Sequence, residues 1–403
     1  MIRREISPFI ESLALKRNKM AFISGPRQCG KTTLAKDLLL DKSFYFNWDQ
    51  LKFRQLWIKS PELLAEQSLA AMAPRIVLDE LHKSRNWKRE LKGFYDEFGE
   101  QIQILVTGSS KLDTYRKGGD SLLGRFYHFH LHPLSLSELL SSKKISFKEL
   151  EHLILSIKGW PEAKAKTEVE SLFRFGGFPE PLLSDREDIH SLWQKTRIDL
   201  LIKQDLRDLS QVHELSKVEI LAALLPLKVG SPLSTESLRK DLEVAFTTTQ
   251  KWLLLLKTLF YHFELKPYSK SISRSLKKEG KIYLYDWSSI ESPGARFENM
   301  VASHLLKFCH SISDTGTAEM ELFYLRDKEK REIDFLLVKN KKPWITVEAK
   351  IHDLTLDKSF QVFQKKLGVP HFQIVMPSKI DRFLKMETGN VRIISFDTFF
   401  SVL

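Results

Sequence analysis

The sequence predicts an α/β protein built on a parallel sheet with helices on both faces, and three features of the first 134 residues carry that prediction. Apolar runs recur with helical sequence between them, several end in polar or acidic residues, and one leads straight into a glycine-rich loop. In order, Met20–Ser24 is a short apolar strand. It is followed by "GPRQCGKTTL", in which Gly25, Gly30, Lys31 and Thr32 keep the spacing G-x-x-x-x-G-K-[ST]. Thr33–Leu40 continues with helical spacing, so the loop sits at a helix N-terminus, where backbone N–H groups and the helix dipole favour phosphate oxygens. "SFYFNW" (Ser43–Trp48) reads as a second strand, "PRIVLDELH" (Pro74–His82) as a buried strand ending in acids, and "QIQILVTGSS" (Gln101–Ser110) as another buried strand. "SLLGRFYHFHLHP" (Ser121–Pro133) holds one more.

The loop predicts a nucleotide site. Lys31 would reach the β and γ phosphates and the Thr32 hydroxyl would complete a Mg²⁺ shell, with Gly25, Gly30 and Thr33 forming the rest of the cradle. Ligands of parallel sheets bind at the carboxyl ends of strands, and Asp79, Glu80 and Ser109 fall at such ends. A strand intervenes between the loop strand and the Asp79 strand, which points to the branch of P-loop NTPases that sets a catalytic glutamate beside the metal-holding aspartate. Asp79 would hold Mg²⁺ directly or through water, and Glu80 would polarise the attacking water. Ser109 is either a polar sensor of the γ-phosphate or part of a simple turn. Arg125 is either a finger that stabilises transition-state charge or a surface arginine. His128, His130 and His132 alternate on one strand face, about 7 Å apart, too far for one zinc ion.

At 403 residues the chain exceeds one ordinary core, which predicts two to four domains. Lys and Arg number 63 against 51 Asp and Glu, a net charge of +12, so the surface should attract polyanions such as nucleic acid. Two cysteines, Cys29 and Cys309, cannot build a disulfide framework, and a reducing cytoplasm is the expected setting. No apolar run approaches the roughly 20 residues of a membrane span, and "MIRREISPF" lacks a signal peptide's apolar segment, so no membrane association is expected.

Beyond Pro133 the sequence is mostly helical from Ser135 to about Leu209, broken by "FGGFPEP" (Phe175–Pro181), and reads as a helical lid beside the nucleotide. Helical runs followed by "YHFELKPYSKSISRSLKKEGKIYLYD" resemble a winged helix. Thr247, Thr248, Gln250 and Lys251 would open its recognition helix, with Lys277, Lys278 and Lys281 on or beside the wing. "REIDFLLVKNKKPWITVEAK" (Arg331–Lys350) reads as a hairpin with Asp334 on one strand and Glu348 and Lys350 on one face of the other. Two carboxylates beside a lysine suit a Mg²⁺-dependent hydrolase: Asp334 and Glu348 would hold metal, Lys350 would position or activate water, and Glu298 from the preceding helix would add a carboxylate. An ordinary charged hairpin fits the same residues.

The ordered series "SGPRQCGKTTL", "IVLDELHK", "LVTGSS", "LLGRFYHFHLHPLSLSELL", "GGFPEP", "DLRDL", "KIYLYD", "RFENMVASHLL" and "EIDFLL…VEAK" spans nearly the whole chain. It resembles a large prokaryotic family of AAA+-type ATP-binding proteins that carry a C-terminal domain of unknown function with a PD-(D/E)xK nuclease-like fold. The resemblance implies an AAA+/ASCE-type P-loop core over 1–134, a helical lid over 135–210, a winged-helix-like region over 211–290 and an α/β nuclease-like domain over 291–403. It implies an ATP site at Gly25, Gly30, Lys31, Thr32, Asp79 and Glu80, with Ser109 as sensor and Arg125 as finger in cis or trans. It also matches Glu298, Asp334, Glu348 and Lys350 to the nuclease motif. Two functions follow as expectations. Either ATP binding and hydrolysis control a DNA-binding or DNA-cleaving C-terminal effector, or the nuclease-like fold is inert and the chain is a nucleotide-gated switch that docks on another protein or on copies of itself.

Overall fold

Short apolar runs become the strands of a parallel sheet in the N-terminal part: β1 (Met20–Ser24), β2 (Tyr45–Asn47), β3 (Arg75–Asp79), β4 (Gln103–Gly108) and β5 (Phe126–His130). Their order is β2-β3-β4-β1-β5 and every neighbouring pair is parallel. Every residue of β1 and β3 is buried, as parallel strands covered on both faces require, which is why both read as unbroken apolar runs. β4 lies between β1 and β3, so the loop strand and the acid strand are separated by one strand. The computed structural model describes residues 2–108, 122–141, 145–161, 165–206 (for 204 and 205 the backbone only), 214–269, 279–376 and 379–403. The chain divides near Pro133 into two compact units.

In the first unit the helix after β1, Lys31–Leu38, buries Lys31, Leu34, Ala35 and Leu38, the i, i+3, i+4, i+7 stripe of a helix packed on a sheet. Phe22, Trp57, Trp87 and Phe94 fill one apolar core there, with the Trp57 and Phe94 rings 5.3 Å apart.

The second unit begins with the helices that the sequence assigns to a lid. They are built into this unit's own core, because the Lys166–Phe175 helix buries Val169, Leu172 and Phe175, and Trp287 Nε1 donates to Leu172 O at 2.7 Å. His190 is hydrogen-bonded to Ser288 at 2.9 Å, and Lys307 Nζ pairs with Glu138 at 2.5 Å. Next come helices Leu215–Leu224, Thr235–Leu242 and Phe246–Thr258, then an antiparallel hairpin of β6 (His262–Leu265) and β7 (Lys281–Leu284). Lys277 and Lys278 lie outside the described residues.

The 22-residue helix Pro293–Asp314 then leads into β8 (Met320–Arg326), β9 (Glu332–Lys339), β10 (Lys342–Lys350), β11 (His371–Val375), β12 (Asp381–Met386) and β13 (Gly389–Ser395). These form one sheet in the order β12-β13-β11-β10-β9-β8, parallel at β10/β11 and β11/β13 and antiparallel elsewhere. β9 and β10 pair with Val347 opposite Phe335, which sets Glu348 beside Asp334.

Candidate functional site

The loop after β1 closes on itself by backbone geometry. Gly30 has φ +98°, and a Cβ on Gly25 would lie 2.1 Å from Leu131 O, so side chains are excluded at both positions. Lys31 is buried and its Nζ donates to Gly25 O at 2.9 Å and Pro26 O at 2.8 Å. A residue with no motif to announce it completes the loop's support. The buried Arg4 donates from Nη1 to Cys29 O at 2.9 Å and from Nη2 to His132 O, tying the loop to the chain that leaves β5.

Asp79, at the carboxyl end of β3, is where loop and sheet meet. Its Oδ2 accepts from Thr32 Oγ1 at 3.0 Å and from Tyr45 OH at 2.5 Å, and its Oδ1 accepts from Thr107 Oγ1. Asn47 Nδ2 approaches Oδ2 at 3.4 Å. Burial, countered by Asn47 and reinforced by Asp79, pushes the Tyr45 phenol up to about 12, so it remains a donor at neutral pH. Glu80 follows in a left-handed turn, φ 57°. Its Oε2 lies 3.6 Å from both Lys83 Nζ and His82 Nε2 and makes no hydrogen bond. Burial lifts the Glu80 carboxyl above the ordinary glutamate range against the pull of the Lys31 ammonium.

These residues fit a nucleotide and its ion. Mg²⁺ uses one or two protein ligands and takes the rest from phosphate and water, and Thr32 and Asp79 already meet at the helix N-terminus with a buried, unbonded glutamate oxygen at the adjoining position. Thr33, the next residue on the helix, is exposed. Ser109 lies outside the described residues.

Arg125 does not join them. Its carbonyl accepts from Met20 N at 2.9 Å, which puts it at the amino end of β1, about 16 Å of strand from the loop. There its guanidinium pairs with Asp96, Nε to Oδ1 at 2.6 Å and Nη2 to Oδ2 at 3.0 Å. A finger acting on its own chain's loop is therefore ruled out by the parallel register that places β5 beside β1.

A second polar cluster lies in the second unit. Glu298 on the long helix, Asp334 on β9 and Glu348 and Lys350 on β10 are close, with Lys350 Nζ 2.8 Å from Glu348 Oε1. Burial raises the carboxyls of Asp334 and Glu348, and burial together with the Asp334 charge lifts Glu298 to about 7. The sequence places Lys281 on or beside the wing; it opens β7 of the hairpin and is buried inside this cluster, 2.5 Å from Glu332 Oε1, 3.5 Å from Glu298 Oε1 and 3.9 Å from Asp334 Oδ1. A lysine in a strand buried at every position has no route to solvent. Among the described residues no group of three or more His, Cys, Asp or Glu side chains is arranged to hold a metal ion, and the Lys281 ammonium stands among the oxygens of Glu332, Glu298 and Asp334. Thr247, Gln250 and Lys251, by contrast, are exposed at the start of their helix, with Thr248 half-buried beside them. Among the described residues no helix is long and apolar enough to cross a membrane.

Comparison with known proteins matches three stretches of the chain. Residues 17–140 match a family described as an AAA domain, residues 166–290 a domain of unknown function (DUF8612), and residues 293–394 another domain of unknown function (DUF4143). The chain is similar to an uncharacterized protein of Methanocaldococcus jannaschii, 23% identical over 94% of this chain and 82% of the relative. It is also similar to an uncharacterized protein of Mycobacterium tuberculosis, 21% identical over 91% of this chain and 78% of the relative. Among solved structures, the Aeropyrum pernix ORC1 protein in complex with DNA superposes only loosely, with TM-score 0.35 and 15% identity over 75% of this chain and 95% of that one. AMPPCP-bound DnaA from Aquifex aeolicus does likewise, with TM-score 0.31 and 15% identity over 63% of this chain and 86% of that one. The N-terminal unit is thus an AAA-type domain on a five-stranded parallel sheet, followed by two domains whose families carry no assigned function.

Proposed function

We propose that the chain is a Mg²⁺-dependent ATPase whose nucleotide state is read by its C-terminal unit, and that this unit works by binding DNA or a protein partner rather than by cutting. The observation that carries the first half is the meeting of Thr32 with Asp79 beside the buried Glu80 Oε2, which makes no hydrogen bond. Bound Mg²⁺·ATP would supply the scissile phosphoanhydride and the ion that neutralises its developing charge. Lys31 would offer its ammonium to the phosphates, Thr32 and Asp79 would hold the ion, and Glu80 would orient and polarise the attacking water. Tyr45, Asn47 and Thr107 would keep Asp79 in place, and Ser109 remains the proposed γ-phosphate contact. Arg125 could serve only the nucleotide of a neighbouring copy, which makes homo-oligomerisation part of the proposal.

Three helices followed by a hairpin support a winged-helix-like reading of 211–290, with Thr247, Thr248, Gln250 and Lys251 presented for DNA and the net charge of +12 drawing in the backbone. The helix bearing Glu298 and the hairpin bearing Asp334, Glu348 and Lys350 support a nuclease-like fold for 291–403, but the lysine within its carboxylates favours the non-cleaving form. ATP turnover measured with and without duplex DNA tests the proposal. Mg²⁺-dependent turnover that changes with duplex supports DNA as partner; turnover indifferent to duplex moves the partner to a protein, and no turnover or binding removes the ATPase.

A further inference from the structure

The carboxylates at the head of the C-terminal sheet already have a cation. Lys281 is 1% exposed, a burial that lysine accepts only when paired. Its Nζ faces Glu332, Glu298 and Asp334 at 2.5, 3.5 and 3.9 Å, and the Tyr324 ring lies 5.6 Å away. The surrounding oxygens have other partners as well. Asp334 Oδ2 accepts from Ala349 N at 2.9 Å, Glu298 Oε1 from Tyr283 OH at 2.7 Å, Glu332 Oε2 from Arg326 Nη1 at 3.0 Å, and Glu348 Oε1 pairs with Lys350 at 2.8 Å. Mg²⁺ needs near-octahedral oxygens at about 2.0–2.1 Å, and the Lys281 ammonium already lies among the oxygens of Glu332, Glu298 and Asp334. The charge is also nearly balanced, since Lys281, Lys350 and Arg326 face Glu298, Asp334, Glu332 and Glu348.

We infer that Lys281 is the resident cation of this cluster: the 166–290 domain delivers, from β7, the positive charge that a nuclease-like site would take as a divalent ion, and the 293–394 domain binds no catalytic metal. Lys281 thereby pins the hairpin strand to the carboxylate face of the next domain, so the two stretches act as one body. The inference rests on the non-cleaving reading of the C-terminal unit and sharpens it to a cause.

Mn²⁺ added to the full chain without nucleotide, followed by electron paramagnetic resonance, tests it alongside a plasmid-nicking assay in the same buffer. No Mn²⁺ binding that depends on Asp334 is expected, and Asp334→Asn should leave the titration unchanged. Mn²⁺ binding that disappears in Asp334→Asn, with no nicking, overturns the inference alone; nicking that disappears in Asp334→Asn overturns the non-cleaving reading with it. Lys281→Met removes the buried ammonium that Glu332, Glu298 and Asp334 face and should lower the melting temperature by on the order of 10 °C. Adding Glu332→Gln to that variant should recover part of the loss, and strictly additive losses would contradict the pairing. If Lys281→Met does not fold, Lys281→Arg keeps the charge and should still show no Asp334-dependent Mn²⁺ binding, and such binding in Lys281→Arg counts against the inference.

Discussion

Glu80→Gln separates chemistry from architecture at the proposed ATP site. The substitution keeps the shape of the side chain in its left-handed turn and removes only its charge. A positioned base contributes about 10²–10⁴ in rate, or about 2.7–5.4 kcal/mol of barrier, so turnover should fall by at least about a hundredfold. Stability should hardly move, because two effects oppose each other. The carboxylate gives up its 3.6 Å approaches to Lys83 and His82, worth about 1 kcal/mol. Against that, a buried carboxylate oxygen with no hydrogen bond ceases to carry charge. The net change should stay within about 1 kcal/mol, or about 2–4 °C in melting temperature. Steady-state phosphate release and a thermal melt of the same preparation measure both. Burial holds the Glu80 carboxyl above its ordinary 4.5, and a base works only when ionised, so wild-type turnover should fall on acidification at a pH above that value. Turnover within threefold of wild type in Glu80→Gln would refute the assignment, and a large loss of stability would show that the residue is chiefly structural.

Tyr45→Phe removes one of the donors that hold Asp79 and should raise the Mg²⁺ concentration for half-maximal turnover about fivefold, close to 1 kcal/mol; an unchanged Mg²⁺ profile would make the phenol a bystander. Glu298→Gln should alter the pH dependence of stability. The folded carboxyl titrates near 7 against an ordinary 4.5, so its protonation favours the folded chain at the acid end and that advantage fades as pH rises through about 7. Melts of wild type and Glu298→Gln should therefore shift in favour of the variant between about pH 5 and 8, and a pH-independent difference would contradict the burial of that group. Duplex DNA binding should weaken steeply with salt, and Lys277→Ala with Lys278→Ala should flatten the log–log slope by about 0.9 for each phosphate no longer neutralised. Lys281, being buried, should affect stability instead, and an equal effect of Lys281 on the slope would place it back on the wing.

Local chemistry is legible in the sequence and distant pairing is not. Gly25, Gly30, Lys31 and Thr32 lie within one loop whose spacing encodes its own geometry, and Asp79 and Glu80 end an apolar run that could only be a covered strand. The hairpin carrying Asp334, Glu348 and Lys350 is equally readable, because period-2 alternation fixes which residues share a face. Tyr45 escapes notice because it reaches Asp79 across 34 residues from a strand of only three, and Arg4 because it supports the loop from 25 residues upstream. Arg125 stands just before its strand, and only the parallel pairing of β5 with β1 shows that this end lies away from the loop. Lys281 misleads for the opposite reason. It closes a run of surface-type charges, "SLKKEGK", and only the packing of β7 against the Glu298 helix turns it inward.

ATP bound in the loop after β1 is the central claim, and equilibrium binding of ATP with and without Mg²⁺ to wild type and to Lys31→Ala tests it most directly. Calorimetry should give wild-type binding strengthened by Mg²⁺ and a loss of at least about tenfold in Lys31→Ala, because the substitution deletes the one ammonium that the loop carries at its head. Equal affinity in the two proteins, or no ATP binding by wild type, would contradict the assignment of Gly25, Gly30, Lys31, Thr32, Asp79 and Glu80 as a nucleotide site.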